Sequence, residues 1–219
     1  MQKKNILISA PTINEISFLT NKAKFCNDFH IIEKSNTSFY ILVSGISSAI
    51  TSFSLGKIFQ KIKFDEAYQF GIAGSFNKKL AIGETVKIYS DTFADISFSN
   101  KKTPINKSNF EDFKNQPFSN GMLVPKTNFF ENIKLSKANA ITVNSVTTTK
   151  TQKEKWLKLY NPDIETMEGA AFYYCCMKEN IPCVQIRTIS NFVSDKKKDW
   201  EPKKAIGSLK TFVLNNFSI

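Results

Sequence analysis

The sequence predicts a single α/β domain: a central, mostly parallel twisted sheet flanked by helices. Three observations predict it. Apolar runs of strand length alternate with helical patterns along the chain, as in sheets built from strand-helix-strand units. The runs are apolar almost throughout, as strands buried on both faces are. The chain has 219 residues, 42% of them hydrophobic and including 20 Phe, which suits one large core.

Taken in order, NILISA reads as the first strand and a helical pattern follows over 14–24. SFYILVSG is the second strand, with a helix over 47–62, and EAYQFGIAG and ETVKIYSD are the third and fourth. The stretch 97–126 is polar and carries Pro104, Pro117, Gly121 and Pro125, so it is expected to be an insertion with a short helix, not a second domain. NAITVNSV and PCVQIRTIS are the last two strands, with helices over 151–159, 168–179 and 202–216. There is no internal repeat.

Composition removes several classes of function. No segment approaches eighteen consecutive apolar residues, so no membrane span is expected. The apolar run Ile6 to Ile8 is too short for a signal-peptide core, and a cytoplasmic location is expected. Cys26, Cys175, Cys176 and Cys183 lack C-x-x-C spacing and read as reduced packing residues. The single histidine, His30, excludes a histidine metal cluster, and no metal or cofactor is expected. The net charge of +11 suggests nucleic acid at first sight. Of the 30 basic residues, however, 29 are scattered lysines and only Arg187 is an arginine, so a base-reading surface is not expected.

In a parallel sheet, chemistry gathers in the loops beyond the carboxyl ends of the strands. Those loops here are SAPTINE, SGISS, GIAGSF, VNSVTTTK and RTISN. Each is a weak signal alone. In order, SGIS, GIAGSF with AIGE, TMEGAA and IRTISN resemble the purine nucleoside phosphorylase/nucleosidase superfamily over roughly 5–209. Within it the chain looks like the nucleosidases, which include 5′-methylthioadenosine/S-adenosylhomocysteine nucleosidase. The acid loop, ISNF and the following Trp200 are most similar to the futalosine hydrolase family.

The resemblance implies roles. Glu15, in the first strand-to-helix loop, would activate the attacking water. Glu168 would accept bonds from both ribose hydroxyls, with Met167 packed on the sugar. Asn191 stands where methylthioadenosine-type nucleosidases carry an aspartate that protonates adenine. An amide cannot be that acid, but it can donate to a purine O6 and accept from a protonated N7. Ile46, Ile72 and Ala73 would contact sugar and water, and Thr147 and Thr148 the purine edge. Arg187 reads as a structural or ion-pair residue.

The first three loops carry no cation, and Lys22 and Lys57 lie well inside helices, so water is favoured over phosphate as nucleophile. The expected activity is hydrolysis of futalosine to hypoxanthine and dehypoxanthine futalosine in an alternative menaquinone pathway, with 97–126 helping to receive the 5′ group. A methylthioadenosine-type nucleosidase, a purine nucleoside phosphorylase and a basic nucleic-acid-binding module are the alternatives. The partner is expected to be a small purine nucleoside, with no nucleic acid or membrane. A homodimer or higher homo-oligomer is implied by resemblance.

Overall fold

A computed structural model describes residues 3–96, 111–126, 130–194 and 196–219. The strands are β1 (Lys4–Ala10), β2 (Lys24–Cys26), β3 (Phe29–Glu33), β4 (Thr37–Val43), β5 (Glu66–Ser75) and β6 (Thr85–Ser90). They continue with β7 (Phe118–Ser119), β8 (Met122–Leu123), β9 (Lys137–Thr142), β10 (Ile164–Thr166) and β11 (Cys183–Phe192). The helices are α1 (Ile13–Thr20), α2 (Ser48–Phe59), α3 (Lys150–Tyr160), α4 (Gly169–Lys178) and α5 (Pro202–Asn216).

Nine strands form one sheet in the order β10-β9-β6-β11-β5-β1-β4-β3-β2. Its centre is parallel: β11 pairs β5, β5 pairs β1, and β1 pairs β4. Antiparallel pairings join β6 to β11 and add the β2–β3 hairpin beside β4. Short β10 also pairs antiparallel with the end of β5, through Ile164↔Ser75 and Glu165↔Gly74. That half of the sheet therefore curls back on itself. The expected α/β class holds: the sheet is mostly parallel, including β6–β9 and β9–β10, with an antiparallel β2–β3 edge.

Two helical layers cover the sheet. Leu55 and Ile58 of α2 and Ala170, Phe172, Tyr173 and Cys176 of α4 join the core on one face. Ile16 and Leu19 of α1 with Leu209 and Val213 of α5 fill the other. The buried positions recur every three or four residues, Thr51, Leu55 and Ile58 on α2 and Ala205, Leu209 and Val213 on α5, so each helix presents one apolar stripe. Complete burial of a side chain such as Leu55 or Ile16 contributes roughly 1.5–3 kcal/mol.

Three features depart from the expectation. The first helix stops at Thr20, not at residue 24, because the chain turns there into the β2–β3 hairpin, whose bend places Asn27 at φ 55°. The hairpin was not visible as apolar runs because its residues are only half-buried or exposed. β10 has three residues, too few for any periodicity to show. Of the insertion expected over 97–126, residues 97–110 lie outside the described residues. Residues 111–126 form a single helical turn (Glu111–Phe113) and the β7–β8 hairpin, with Phe118 against Tyr174 of α4.

Candidate active site

The carboxyl ends of β1, β4, β5, β10 and β11 open into one cavity of about 360 Å³. Its wall includes Glu15, Ile46, Ile72, Ala73, Met167, Glu168 and Asn191, seven residues from five separate segments that had been expected to share a site. Glu15, Glu165, Glu168 and Asn191 in that wall are all buried, so their hydrogen bonds decide what they can do.

Glu15 stands in the first turn of α1, where the helix dipole favours an anion. Its Oε2 accepts from the Thr12 amide at 3.0 Å and the Thr12 hydroxyl at 2.6 Å. Its Oε1 accepts from the Ile72 amide at 3.0 Å, across from β5. The carboxylate is thus held at three points between two strand ends. Gly71 supplies the space: a Cβ there would collide with Arg187 Nη1 and approach Glu15 Oε1 at 3.1 Å.

Glu168 is the residue immediately before α4, and it crosses to the loop after β4, where its Oε1 accepts from the Ser47 amide at 3.2 Å. That amide is aimed by a strained backbone, since Ser47 sits at φ 90° without being glycine. Glu168 Oε2 lies 4.0 Å from Arg187 Nη1, with both side chains buried. Burial pushes the Glu168 carboxyl up from its ordinary range, and nearby Glu15 adds to the shift. Arg187 and the Ser47 amide oppose it by favouring the charged form.

Arg187 takes the structural and ion-pair place expected of it. It is fully buried at the bottom of β11 behind both carboxylates. Its Nη2 donates to Gln69 Oε1 and, at 3.3 Å, to Gln185 Oε1, and its Nε reaches Gln185 Oε1 at 3.4 Å. Gln185 Nε2 in turn donates to Asp91 Oδ2 at 3.1 Å. Two glutamines therefore orient the guanidinium and leave Nη1 without a hydrogen-bond partner on the side of Glu168. Burial raises the Asp91 carboxyl to about 6 despite the donors around it.

The other end of the cavity is built around Gly74. Gly74 stands opposite Asn191 of β11 on one side and Glu165 of β10 on the other. The register of β11 shifts between Ile189 and Asn191, so Ser190 is an extra residue and the bulge re-aims Asn191. Asn191 Oδ1 accepts from the Ser190 hydroxyl at 2.8 Å, and its Nδ2 donates to the Phe192 carbonyl at 3.2 Å. Glu165 Oε1 accepts from the Thr147 amide at 3.0 Å, while Oε2 is buried with no partner.

Thr147 and Thr148 do not take the place expected of them. Neither lines the cavity, where Val146 stands instead. The Thr147 amide is used by Glu165, its hydroxyl accepts from Trp156 Nε1 at 3.0 Å, and its carbonyl accepts from the Ser194 amide at 3.2 Å. Thr147 supports Glu165 from behind, and Thr148 is exposed. Sequence reasoning passed over Glu165 because its neighbour Glu168 carried the family motif. The available signal was a second carboxylate in an otherwise apolar ETMEGAA segment. Residues 111–126 contribute nothing to the wall, whose outer part is Trp200, Pro202 and Ile206.

Among the described residues, no lysine or arginine lines the cavity. Among the described residues, no group of three or more His, Cys, Asp or Glu could hold a metal ion, and no helix is long and apolar enough to cross a membrane.

Buried carboxylates facing an apolar cleft at the ends of parallel strands define an α/β enzyme with a site sized for a nucleoside. The model of the Phosphorylase superfamily matches residues 13–213, and the chain belongs to that superfamily. Among curated proteins, futalosine hydrolase of Thermus thermophilus is 24% identical over 182 residues, covering 79% of this chain and 78% of its own. The 5′-methylthioadenosine/S-adenosylhomocysteine nucleosidase of Buchnera aphidicola is 29% identical over 208 residues, covering 86% and 79%. Among solved structures, 5′-methylthioadenosine/S-adenosylhomocysteine nucleosidase of Helicobacter pylori superposes with TM-score 0.80 at 17% identity over 97% of each chain. Futalosine hydrolase of the same organism does so with TM-score 0.78 at 17% identity over 96% of each. The protein is a homologue of both kinds of nucleosidase.

Proposed function

We propose that the protein hydrolyses the N-glycosidic bond of a 6-oxopurine nucleoside, with futalosine as the substrate and hypoxanthine as the released base. The observation that carries this reading is the side chain at 191. An aspartic acid there could deliver a proton to adenine. The Asn191 amide offers a donor and an acceptor instead, which complement the O6 and protonated N7 of a departing hypoxanthine.

The chemistry follows from the two ends of the cavity. As the C1′–N9 bond breaks, its electron pair moves onto the base and positive charge develops on the ribose. On this reading Glu168 accepts both ribose hydroxyls and favours that charge. Glu15 takes a proton from water while the water oxygen bonds to C1′. The base takes a proton from solvent at N7, and Glu15 later returns its own. Phosphate is disfavoured as nucleophile because no cation lines the cavity.

The 29% identical relative supports a second reading, methylthioadenosine/S-adenosylhomocysteine cleavage. One assay separates them from each other and from phosphorolysis. Incubated with futalosine in phosphate-free buffer, the enzyme is expected to release hypoxanthine and the free sugar, and added phosphate should not accelerate it. Adenine release from methylthioadenosine with futalosine left intact would establish the second reading instead.

A further inference from the structure

We propose that Gln69 and Gln185 are positioning residues for the reaction: by holding Arg187 through neutral oxygens, they leave its positive charge for Glu168 and Glu15. This rests on the nucleoside-hydrolase reading above and adds to it the residues that prepare its acids.

Gln69, Gln185 and Arg187 are fully buried. Gln185 stands opposite Gln69 in the β11–β5 register, and Arg187 is two residues further along β11, so all three side chains leave the sheet on one face. A guanidinium has donors only, so each glutamine must turn its oxygen to it. Gln185 is held in that sense from behind, because its Nε2 donates to Asp91 Oδ2 at 3.1 Å. Its Oε1 accepts from Arg187 Nη2 at 3.3 Å and Nε at 3.4 Å, and Gln69 Oε1 accepts from the same Nη2. Nη1 is the nitrogen left towards the acids. It lies 4.0 Å from Glu168 Oε2, and a Cβ on Gly71 would collide with it while lying 3.1 Å from Glu15 Oε1.

The chemistry of the anchors matters as much as their position. A carboxylate in place of either glutamine would form a close ion pair and cancel much of the charge that the acids feel. Amide oxygens fix the geometry and leave the charge intact. The acids need it, because neighbouring buried carboxyls favour retaining a proton between them. Burial pushes the Glu168 carboxyl up, Arg187 opposes that, and Glu15 adds a smaller push. The charged groups around Glu168 are Glu15 of α1 and Arg187 of β11, with Glu165 of β10 in the same wall and Asp91 behind Gln185. Arg187 is the cation of that set, so its aim decides whether Glu168 is ionised when it meets the ribose.

Substituting Gln69 separates aim from packing. Gln69→Met keeps the volume but removes an acceptor from Nη2. Gln69→Glu keeps that bond and adds a charge that competes for the guanidinium. The Glu168 carboxyl carbon, followed by carbon NMR and identified by its loss in Glu168→Gln, gives a titration midpoint without any substrate. That midpoint should rise by roughly half a pH unit in Gln69→Met and by roughly one in Gln69→Glu. The acidic limb of kcat/KM should rise with it, measured on futalosine, or on methylthioadenosine if wild type cleaves that instead. A packing role alone predicts the reverse order: Gln69→Met would lose more melting temperature than Gln69→Glu, with its midpoint unmoved. A midpoint unchanged in Gln69→Met, or one that rises while the kcat/KM limb stays, overturns the assignment and leaves the nucleoside reading standing. Wild type that cleaves neither nucleoside overturns that reading, and the positioning role with it.

Discussion

The two ends of the cavity, the proposed sugar end and the proposed base end, are built differently. At the sugar end, Glu15 and Glu168 receive amides from other strand ends, and buried Arg187 stands behind both. At the other end, Glu165 and Asn191 sit on the two strands that flank Gly74 of β5, and Glu165 Oε2 is buried without a partner. At the proposed sugar end both acids are held by backbone amides, and the unpaired group is Arg187 Nη1 behind them. At the proposed base end the contact is a carboxamide, whose donor and acceptor suit a choice between bases.

The difference predicts that damage at the sugar end is large and blind to the base. Glu15→Gln should lower kcat by roughly 10²- to 10⁴-fold, the usual worth of a general base, with KM changed only a few-fold. Steady-state kinetics on futalosine checks this, and near-normal kcat would remove Glu15 from its role. Glu168→Gln should cost roughly 10²- to 10³-fold in kcat/KM through lost stabilisation of the sugar charge, to the same factor on every nucleoside that wild type cleaves. Because burial raises the Glu168 carboxyl, activity that needs its ionised form should fall on acidification at a higher pH than an ordinary glutamate would give. A pH profile of kcat/KM reads that directly.

Damage at the base end should be smaller and selective. Asn191→Asp should lower kcat/KM for futalosine by roughly tenfold, the value of one or two hydrogen bonds, and lower it less or raise it for methylthioadenosine. An equal loss on both would erase the distinction between the two ends.

The smallest expected effect lies beneath the site, at Asp91. Its folded-state carboxyl titrates at about 6, above the ordinary 3.8, so the folded chain holds that proton more tightly than the unfolded one. Its contribution to stability is present in full below 3.8 and is lost as pH rises through 6. Asp91→Asn removes that contribution. The melting temperature of wild type relative to the variant should therefore increase between pH 7.5 and pH 5, and a constant difference would exclude the titration of Asp91.

Legibility in the sequence follows the same division. The buried strands β1, β4, β5, β6, β9 and β11 declared themselves as apolar runs, since burial on both faces leaves no alternation to misread. Short β10 did not, because three residues carry no period, and its pairing with β5 is a long-range event. That pairing is what brings Glu165 opposite Gly74, so its place in the cavity wall was hidden along with the strand. Glu15, Glu168 and Asn191 could be expected together because each lies in a loop or strand end with a recognisable local motif, and all three line the cavity. Arg187 was visible as the lone arginine, but its direction depends on Gln69 and Gln185 from two strands, which no local pattern reports. The expectation for Thr147 and Thr148 failed for a related reason: the amide that might have read a purine is taken by a side chain eighteen positions later.

The central claim is that this site hydrolyses a 6-oxopurine nucleoside. A competition assay measures it most directly: futalosine and 5′-methylthioadenosine supplied together at equal concentration, in phosphate-free buffer, with both free bases quantified. The account predicts that hypoxanthine accumulates first and adenine lags by at least tenfold. Adenine appearing first, or hypoxanthine appearing only when phosphate is added, would contradict it.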